Sequence, residues 1–454
     1  MATWYPLFVL AVGLLVVIGG IVALRINAFM SLITAAITVS LMSPGDWDEK
    51  ISRVAEAFGA TAAGVGIVIA LAAIIGKAMM DSGAADRIVR SSLALFGERQ
   101  AATALMASSF TLAIPVFFDT VFYLLVPLAR SMYRLTGKHY VKYLVAVASC
   151  ASAHALVPPT PGPVLVASEL GVDLGVMILV GFAVAMPAAI ASLMFGVWID
   201  RRVDVAPPPI GPEEEAPPEI TLGELPGLLI SMLPVLLPVL LIATRTIMDT
   251  FAPADALEDF RDLMSVLGNP NMALLLSAGI SVITYWYYRR PSRAQRAESL
   301  EAALMSGGVI ILITAAGGAF GAMLKAAQLA PAIQSLFGDS AATGYGLLFL
   351  AFSVAALIKF AQGSSTAAMI VTAGMFAALL DSASLGYHRV YVATAIGSGS
   401  LVGSWMNDSG FWIFAKMGGL SELDTLRTWT PLLALLGCVS MAMTVLLATL
   451  LPLV

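Results

Sequence analysis

Long apolar segments separated by short polar ones cover most of the chain. Many of these segments reach the roughly 20 residues that an α-helix needs to cross the hydrocarbon of a bilayer. They are continuous runs of Leu, Ala, Val, Ile and Gly and lack the alternation of a membrane-spanning β-strand, so each one predicts a helix. The pattern predicts an all-α polytopic membrane protein with about ten crossings.

The apolar pattern also divides the chain into two halves with one plan. Residues 1–199 form the first predicted repeat, 200–226 a linker, and 227–454 the second repeat. Pro and Glu dominate the linker from Pro207 to Glu219, a composition that cannot form a packed core. Polar residues interrupt two long apolar segments in each half, which are 101–133 and 140–168 in the first and 344–380 and 388–416 in the second.

Basic residues beside the segments predict which ends face the cytoplasm. Clusters at 87–99 and 130–142 flank segment 101–133 on both sides, and each of its arms is too short to cross alone. This segment is therefore predicted to be a re-entrant hairpin. By the repeat, 344–380 is a second hairpin that enters from the opposite side.

The remaining charges predict the overall orientation. Arg201-Arg202 and the arginine-rich 289–296 place the linker inside and both termini on the outer face. Segments 140–168 and 388–416 are then broken helices that cross. The result is an inverted-topology repeat of two five-crossing halves, each with a re-entrant hairpin and a broken helix, which is typical of transporters.

Composition narrows the class of protein and of partner. Hydrophobic residues make up 59% and charged residues 12% of the chain, whereas soluble domains carry about 25% charged residues. The net charge of -5 provides no basic surface, so we expect the lipid bilayer and no nucleic acid as a partner. The sequence contains no nucleotide-binding loop, His-Glu-x-x-His or Cys-x-x-Cys motif. We therefore expect no enzyme activity, no metal and no cofactor, and transport driven by an ion gradient.

The interruptions predict where polar groups meet the membrane interior. Irregular backbone at that depth is tolerated only where it is buried in protein or lines a water-filled cavity, so the four interruptions predict one shared cavity. Ionisable residues there mark functional sites. Asp119, His154 and Asp408 are candidates for carrying the coupling proton or ion. The structural alternatives are a backbone cap or a partner of Lys359 for Asp119, and a packing residue for His154.

Other polar residues in the interruptions predict an anion site. Lys359 would attract a carboxylate, unless it pairs with Asp119 or extends to the membrane surface. Hydroxyls and N–H groups at a helix N-terminus bind anions, although Ser and Thr there also cap the helix. The further candidates for substrate contact are Gln362, Gly363, Ser364, Ser365, Thr366, Thr160, Gly162, Asn407 and Ser409.

Four stretches at the interruptions resemble the signatures of the gluconate permease (GntP-type) family of the ion-transporter superfamily. They are Ile114-Pro-Val-Phe-Phe-Asp119, His154-Ala-Leu-Val-Pro-Pro-Thr-Pro-Gly-Pro163, Ala361-Gln-Gly-Ser-Ser365 and Asn407-Asp-Ser-Gly-Phe-Trp412. The resemblance implies proton-coupled symport of gluconate or a related sugar acid or small hydroxy-carboxylate. It also implies a homodimer in the cell inner membrane, built of scaffold and transport domains.

Departures from the family pattern keep alternatives open. Asp119, Thr160 and Lys359 stand where family members tend to carry Glu, His and Arg. The loss of a titratable histidine bears on proton coupling, and a lysine replaces a bidentate carboxylate clamp with a point charge. The alternative on the same fold is a sodium-coupled or antiport carrier of another small organic anion or amino acid, and the alternative in another class is a channel.

Overall fold

The computed structural model describes residues 4–20, 24, 26–97, 100–116, 118–203, 205–207, 225–251, 258–328, 344–380, 385–406 and 408–453. Most of the linker between the two halves lies outside these residues. The described part contains helices and no β-strand.

Ten helices form the first half. They are α1 (Tyr5–Ile18), α2 (Ala28–Met42), α3 (Glu49–Ser82), α4 (Ala84–Phe96), α5 (Ala101–Leu112), α6 (Phe118–Thr136), α7 (Tyr140–Ala148), α8 (Ala151–Leu156), α9 (Pro161–Glu169) and α10 (Leu174–Asp200).

The described part of the second half contains nine helices. They are α11 (Leu228–Phe251), α12 (Glu258–Leu267), α13 (Pro270–Arg289), α14 (Arg293–Ala326), α15 (Gly346–Gln362), α16 (Ser365–Leu380), α17 (Val390–Gly399), α18 (Ser409–Gly418) and α19 (Glu422–Leu450).

Six helical segments of the described part are long and apolar enough to cross a bilayer. They are α3, Tyr140–Glu169 taken as one interrupted segment, α10, Leu228–Asp249, α14 and α19. Joining α12 to α13, which meet at a bend of 67°, brings the count to seven. Ten crossings require shorter helices as well, because α1 and α2 are 14 and 15 residues long. The chain is an all-helical, multi-pass membrane protein.

Local sequence explains where several helices begin and end. Asp173 accepts hydrogen bonds from the backbone N–H groups of Gly175 and Val176 and so caps the start of α10. Ser292 and Gln295 form a capping box at the start of α14. Gly83, at φ 82°, turns the chain from α3 into α4, a conformation that a residue with a Cβ rarely adopts.

The helix gaps fall within the four stretches where the sequence predicts interruptions. α5 ends at Leu112 before Pro115, and α8 ends at Leu156 before the prolines that precede α9. Proline lacks the N–H that would continue a helix. In the second half, α15 gives way to α16 at Gly363, at φ 85°, and α17 ends at Gly399 well before α18.

Close helix crossings organise the centre of the molecule. α3 and α14 are each 34 residues long and pack along each other. Their crossing is tight at Gly307, where an added Cβ would lie 3.2 Å from the Cβ of Ala73. α14 crosses α16 even more closely, because a Cβ on Gly321 would lie 2.6 Å from the Cα of Gly374. These small residues let the backbones approach and fix α14 between α3 and the second interrupted hairpin.

Candidate functional site

One cavity of about 730 Å³ is lined by residues from the interruptions of both halves. Its volume lies within the range of about 300–1,000 Å³ that is typical of small-molecule sites. Its walls come from the start of α6, from α8, the middle of α14, the α15–α16 turn, the start of α18 and the first third of α19. The lining residues are Phe118, Thr120, Ala151, His154, Ala155, Ser306, Val309, Ile310, Gly363, Ser364, Ser365, Thr366, Leu401, Asp408, Ser409, Gly410, Trp429 and Leu433.

Three helices begin at this cavity. They are α6 at Phe118, α16 at Ser365 and α18 at Ser409, and residues of each first turn line the wall. The first four N–H groups of a helix have no partner within the helix, and the aligned peptide dipoles place about half a positive charge at that end. Their convergence makes the cavity suited to an anion.

Hydroxyl groups surround these helix starts, and some are already engaged. Ser364 Oγ accepts a hydrogen bond from the backbone N–H of Ala367 at 3.2 Å, and Ser365 Oγ donates to the carbonyl of Ser400 at 2.8 Å. Thr366 and Ser409 line the cavity too, and their hydroxyls form no hydrogen bond with another described residue. Both hydroxyls are therefore available to a solute.

A buried ion pair lies directly behind the wall. The side chain of Lys359 is 1% exposed, and its ammonium donates to Asp408 Oδ2 at 2.8 Å and to the carbonyl of Gly363 at 2.5 Å. A buried ammonium is tolerated only when it is paired and hydrogen-bonded. Lys359 is not in the lining of the cavity, whereas Asp408 is. The carboxylate therefore stands between the ammonium and the cavity.

Asp408 is held by the backbone as well as by the ammonium. Its Oδ1 accepts from the N–H of Gly410 at 2.9 Å and caps α18, and its Oδ2 also accepts from the hydroxyl of Ser404. The indole N–H of Trp429 donates to Ser404 Oγ at 2.6 Å. These bonds connect the α17–α18 interruption to α19 and orient the carboxylate.

Aromatic side chains brace this network against the first half. The Trp429 ring lies 5.4 Å from the ring of Phe118 and 5.4 Å from that of Phe414, measured between centroids. Phe122 contacts both phenylalanines. The start of α6 is thereby packed against α18 and α19, so the two halves share one wall of the cavity.

The structure brings most of the sequence-predicted site residues together. His154, Gly363, Ser364, Ser365, Thr366, Asp408 and Ser409 line the cavity, and Lys359 lies behind it. Asn407 lies outside the described residues. The side chains of Asp119 and Gln362 are likewise not among the described ones, so a contact between Asp119 and Lys359 stays a prediction.

Two predicted residues have other surroundings. The hydroxyl of Thr160 donates to the carbonyl of Val157 at 2.7 Å, within the turn before α9. Gly162 packs against Met369, and an added Cβ would lie 2.1 Å from its terminal methyl group. Neither Thr160 nor Gly162 belongs to the cavity lining. Thr160 thus closes the turn before α9, and Gly162 lets α9 pack closely against α16.

Sequence patterns missed several residues of the site. Thr120 lies inside a recognised interruption, one position after Asp119, and Ser404 lies inside another. Ser306 is a small polar residue on α14, and Trp429 stands at the start of an apolar run. Hydropathy gave no signal for Ser306 and Trp429, because it does not report which face of a helix meets the cavity.

Comparisons with known proteins agree with these features. The family model of the GntP family permeases matches residues 5–451. The chain is 33% identical over 446 residues to a gluconate permease of Pseudomonas aeruginosa, covering 97% of this chain and 98% of that protein. It is 31% identical over 422 residues to a low-affinity gluconate transporter of Escherichia coli K12, covering 91% of this chain and 92% of that protein.

Two solved structures have a similar fold. The YdaH transporter of Alcanivorax borkumensis superposes with a TM-score of 0.60 at 14% identity, covering 94% of this chain and 98% of that chain. MtrF of Neisseria gonorrhoeae superposes with a TM-score of 0.59 at 13% identity, covering 94% and 95%. The first is described as a transporter, and the second represents a class of antimetabolite efflux pumps.

Proposed function

Because the chain belongs to the GntP permease family, we propose that it is a secondary active transporter for gluconate or a related sugar acid or small hydroxy-carboxylate. The observation that carries the proposal is the convergence of three helix N-termini on one cavity with hydroxyl groups beside them. The carboxylate of the substrate binds at the starts of α16 and α18. The hydroxyls of Thr366 and Ser409 bind the hydroxyl groups of the sugar acid.

The coupling ion is a proton in this proposal, and the Lys359–Asp408 pair couples it to the anion. With Asp408 ionised, the pair is neutral and the carboxylate repels an anion. Protonation of Asp408 removes that charge and gives the wall a net positive charge, which the substrate carboxylate then balances. Proton and anion therefore favour each other's binding, as symport requires.

His154 and Asp119 are further candidates for the proton path. His154 lines the same cavity on α8. Asp119 belongs to the first turn of α6, which also reaches the cavity. Sodium coupling or antiport remains the alternative for the same cavity.

We propose that the two halves form an inverted-topology repeat. The same elements follow in the same order in each half: a 34-residue helix (α3, α14), a hairpin (α5–α6, α15–α16), an interrupted helix (α7–α9, α17–α18) and a long helix (α10, α19). The contacts between halves are reciprocal, since α3 packs against α13 and α14 packs against α2. In the proposed topology both hairpins are re-entrant and each half crosses five times.

Contacts between the ends of helices support the proposed orientation. The guanidinium of Arg130 donates to the carbonyl of Met417 at 2.7 Å, and the hydroxyl of Tyr140 donates to that of Gly418 at 2.9 Å. Both contacts join ends that the basic residues assign to the cytoplasm. Thr246 donates to Asp173 at 2.8 Å, joining two ends assigned to the outer face. A homodimer in the inner membrane belongs to the same proposal and rests on the family alone.

Uptake by purified protein in proteoliposomes tests the proposal. Labelled gluconate should accumulate faster when the interior is alkaline, and choline in place of sodium should leave the rate unchanged. A panel of hydroxy-acids and amino acids measures selectivity. Uptake that requires sodium would favour the alternative carrier, and absence of saturable uptake of every acid in the panel would refute the proposed function.

A further inference from the structure

A second cavity of about 390 Å³ adjoins the central one. It lies between α3, α14 and the α5–α6 turn, and it shares two lining residues, Thr120 and Ser306, with the central cavity. These two hydroxyl-bearing residues therefore stand at the junction. The two cavities therefore meet at these residues. Together they are called the groove here, which reaches from the central cavity to the end of α3.

A cluster of hydrogen-bonded polar side chains lies at the far end of the groove. Lys77 Nζ lies 2.6 Å from Asp81 Oδ1, and the hydroxyl of Ser299 donates to Asp81 Oδ2 at 2.5 Å. The side chains of Lys77 and Asp81 are 40% and 20% exposed, and both residues line the second cavity. The cluster joins α3 to α14, which makes it more than a pair within one helix.

The α5–α6 turn packs closely against α3 beside the groove. A Cβ on Gly76 would lie 3.0 Å from the carbonyl oxygen of Pro115 and 3.5 Å from Val116. The turn therefore forms one side of the groove, next to the position that precedes Lys77. The arginines that follow α3 and precede α14 place this end of both helices on the cytoplasmic side.

We propose that the second cavity is the cytoplasmic route of the substrate and that Lys77 is an anion-binding station at its mouth. The proposal rests on the proposed function and adds a residue that selects for anions outside the central site. The ammonium of Lys77 exchanges the carboxylate of Asp81 for that of the substrate, while Ser299 keeps Asp81 hydrogen-bonded. An i,i+4 ion pair at a helix surface would by itself only stabilise α3 slightly.

Cysteine labelling tests the route. The native cysteines are first removed by Cys150→Ala and Cys438→Ser. In that background, Ala302→Cys places a thiol in the groove. Met305→Cys on the same helix is the matched control, because Met305 lies outside the groove and is 67% exposed. A membrane-impermeant maleimide should label Ala302→Cys in inside-out vesicles only, more slowly with gluconate present. Met305→Cys should show no protection by gluconate. Labelling of Ala302→Cys from the outer face only, or none, would overturn the route.

Transport from the cytoplasmic face tests the role of Lys77. Lys77→Gln should lower kcat/KM for gluconate on the order of tenfold in inside-out vesicles, and the loss should shrink as ionic strength rises. Lys77→Arg should restore the wild-type value. Lys138→Gln, which removes an exposed lysine assigned to the same face, should have no effect.

The two proposals fail in different ways. If wild-type protein carries no hydroxy-acid, the proposed function fails. If wild-type protein carries gluconate and Lys77→Gln matches it at low ionic strength, the anion-binding station fails alone. A loss that Lys77→Arg does not restore, or that salt does not change, would assign Lys77 to the stability of α3 and would equally overturn the station.

Discussion

Replacing Asp408 by asparagine removes one charge from the cavity wall and leaves its shape almost unchanged. Asparagine is as good an N-cap as aspartate, so the start of α18 is expected to persist. Lys359 Nζ lies 2.8 Å from Asp408 Oδ2, and the two side chains are 1% and 11% exposed. At an effective dielectric constant of about 20, the lost attraction is roughly 4–6 kcal/mol. Removing one partner of a buried pair typically costs about 3–5 kcal/mol of stability.

The substrate carboxylate can replace part of the attraction to Lys359 that the substitution removes. The anion no longer meets the carboxylate of Asp408, so we expect Asp408→Asn to bind gluconate at least about tenfold more tightly than wild type at alkaline pH, or ~1.4 kcal/mol. In the proposed coupling, a protonated Asp408 leaves the pair with the same net charge as in the Asp408→Asn variant. Exchange of gluconate across the membrane should continue, and stimulation by a pH gradient should disappear.

Calorimetry and uptake assays measure these effects together. Binding of gluconate by wild type and Asp408→Asn is measured from about pH 8 to about pH 5.5, where the substrate carboxylate stays ionised. Asp424→Asn is the matched control, since Asp424 is an exposed carboxylate in the first turn of α19 that accepts from Ser421. A variant that still concentrates gluconate in response to a pH gradient would refute the coupling role of Asp408. Weaker binding by the variant at alkaline pH would refute the balance between carboxylate and substrate.

Five further substitutions, four of them in matched pairs, probe separate features of the site and its frame. Thr366→Val should weaken gluconate binding about tenfold with little change in Tm, whereas Thr160→Val should lower Tm and leave the affinity unchanged; the reverse result would exchange their roles. Trp429→Phe keeps most of the ring packing but removes the indole hydrogen bond, so thermal unfolding should show a loss of about 1–3 kcal/mol, and an unchanged Tm would contradict it. Gly321→Leu should destabilise the protein by at least about 1–3 kcal/mol through overpacking. Gly308→Leu should be tolerated, because an added Cβ at Gly308 meets nothing within 4 Å. Equal losses of stability in the two variants would refute the close crossing of α14 and α16.

The interruptions were predictable because their signals are local. Pro115, the prolines before α9 and Gly363 each prevent a continuous helix through their own backbone chemistry. Polar residues within apolar runs are costly in a membrane, so their presence predicted a shared cavity. Seven of the eighteen residues that line the cavity were named on that basis, all of them at the interruptions.

The contacts within the site were not predictable in the same way. Lys359 and Asp408 are 49 positions apart and belong to different helices, so nothing in the local pattern pairs them. The sequence leaves Asp119 open as a partner of Lys359; the structure brings Asp408 to the ammonium, and the side chain of Asp119 lies outside the described residues. Ser306 and Trp429 were missed for a related reason, since only the packing of α14 and α19 determines which of their faces meets the cavity.

The number of membrane crossings could not be predicted from the sequence for the same reason, because it also depends on how the helices pack. Hydropathy measures the length of an apolar run and does not separate a helix that crosses from one that returns. Of the predicted hairpin arms, α5, α15 and α16 are 12, 17 and 16 residues long, whereas α6 has 19 residues. Helix length therefore does not test the re-entrant prediction. α1 and α2 are also short, so length alone does not divide the helices into frame and hairpins.

The charge balance of the cavity leads to a last prediction. The helix N-termini contribute a constant positive potential of about half a charge each, whereas the Lys359–Asp408 pair changes from neutral to positive when Asp408 takes a proton. In the proposed symport, proton binding and gluconate binding favour each other to the same degree. Titration with gluconate near neutral pH in two buffers of different ionisation enthalpy should reveal uptake of up to one proton per anion. Asp408→Asn should show less uptake than wild type, and equal proton uptake by both would mean that another group in the cavity, such as His154, carries the proton.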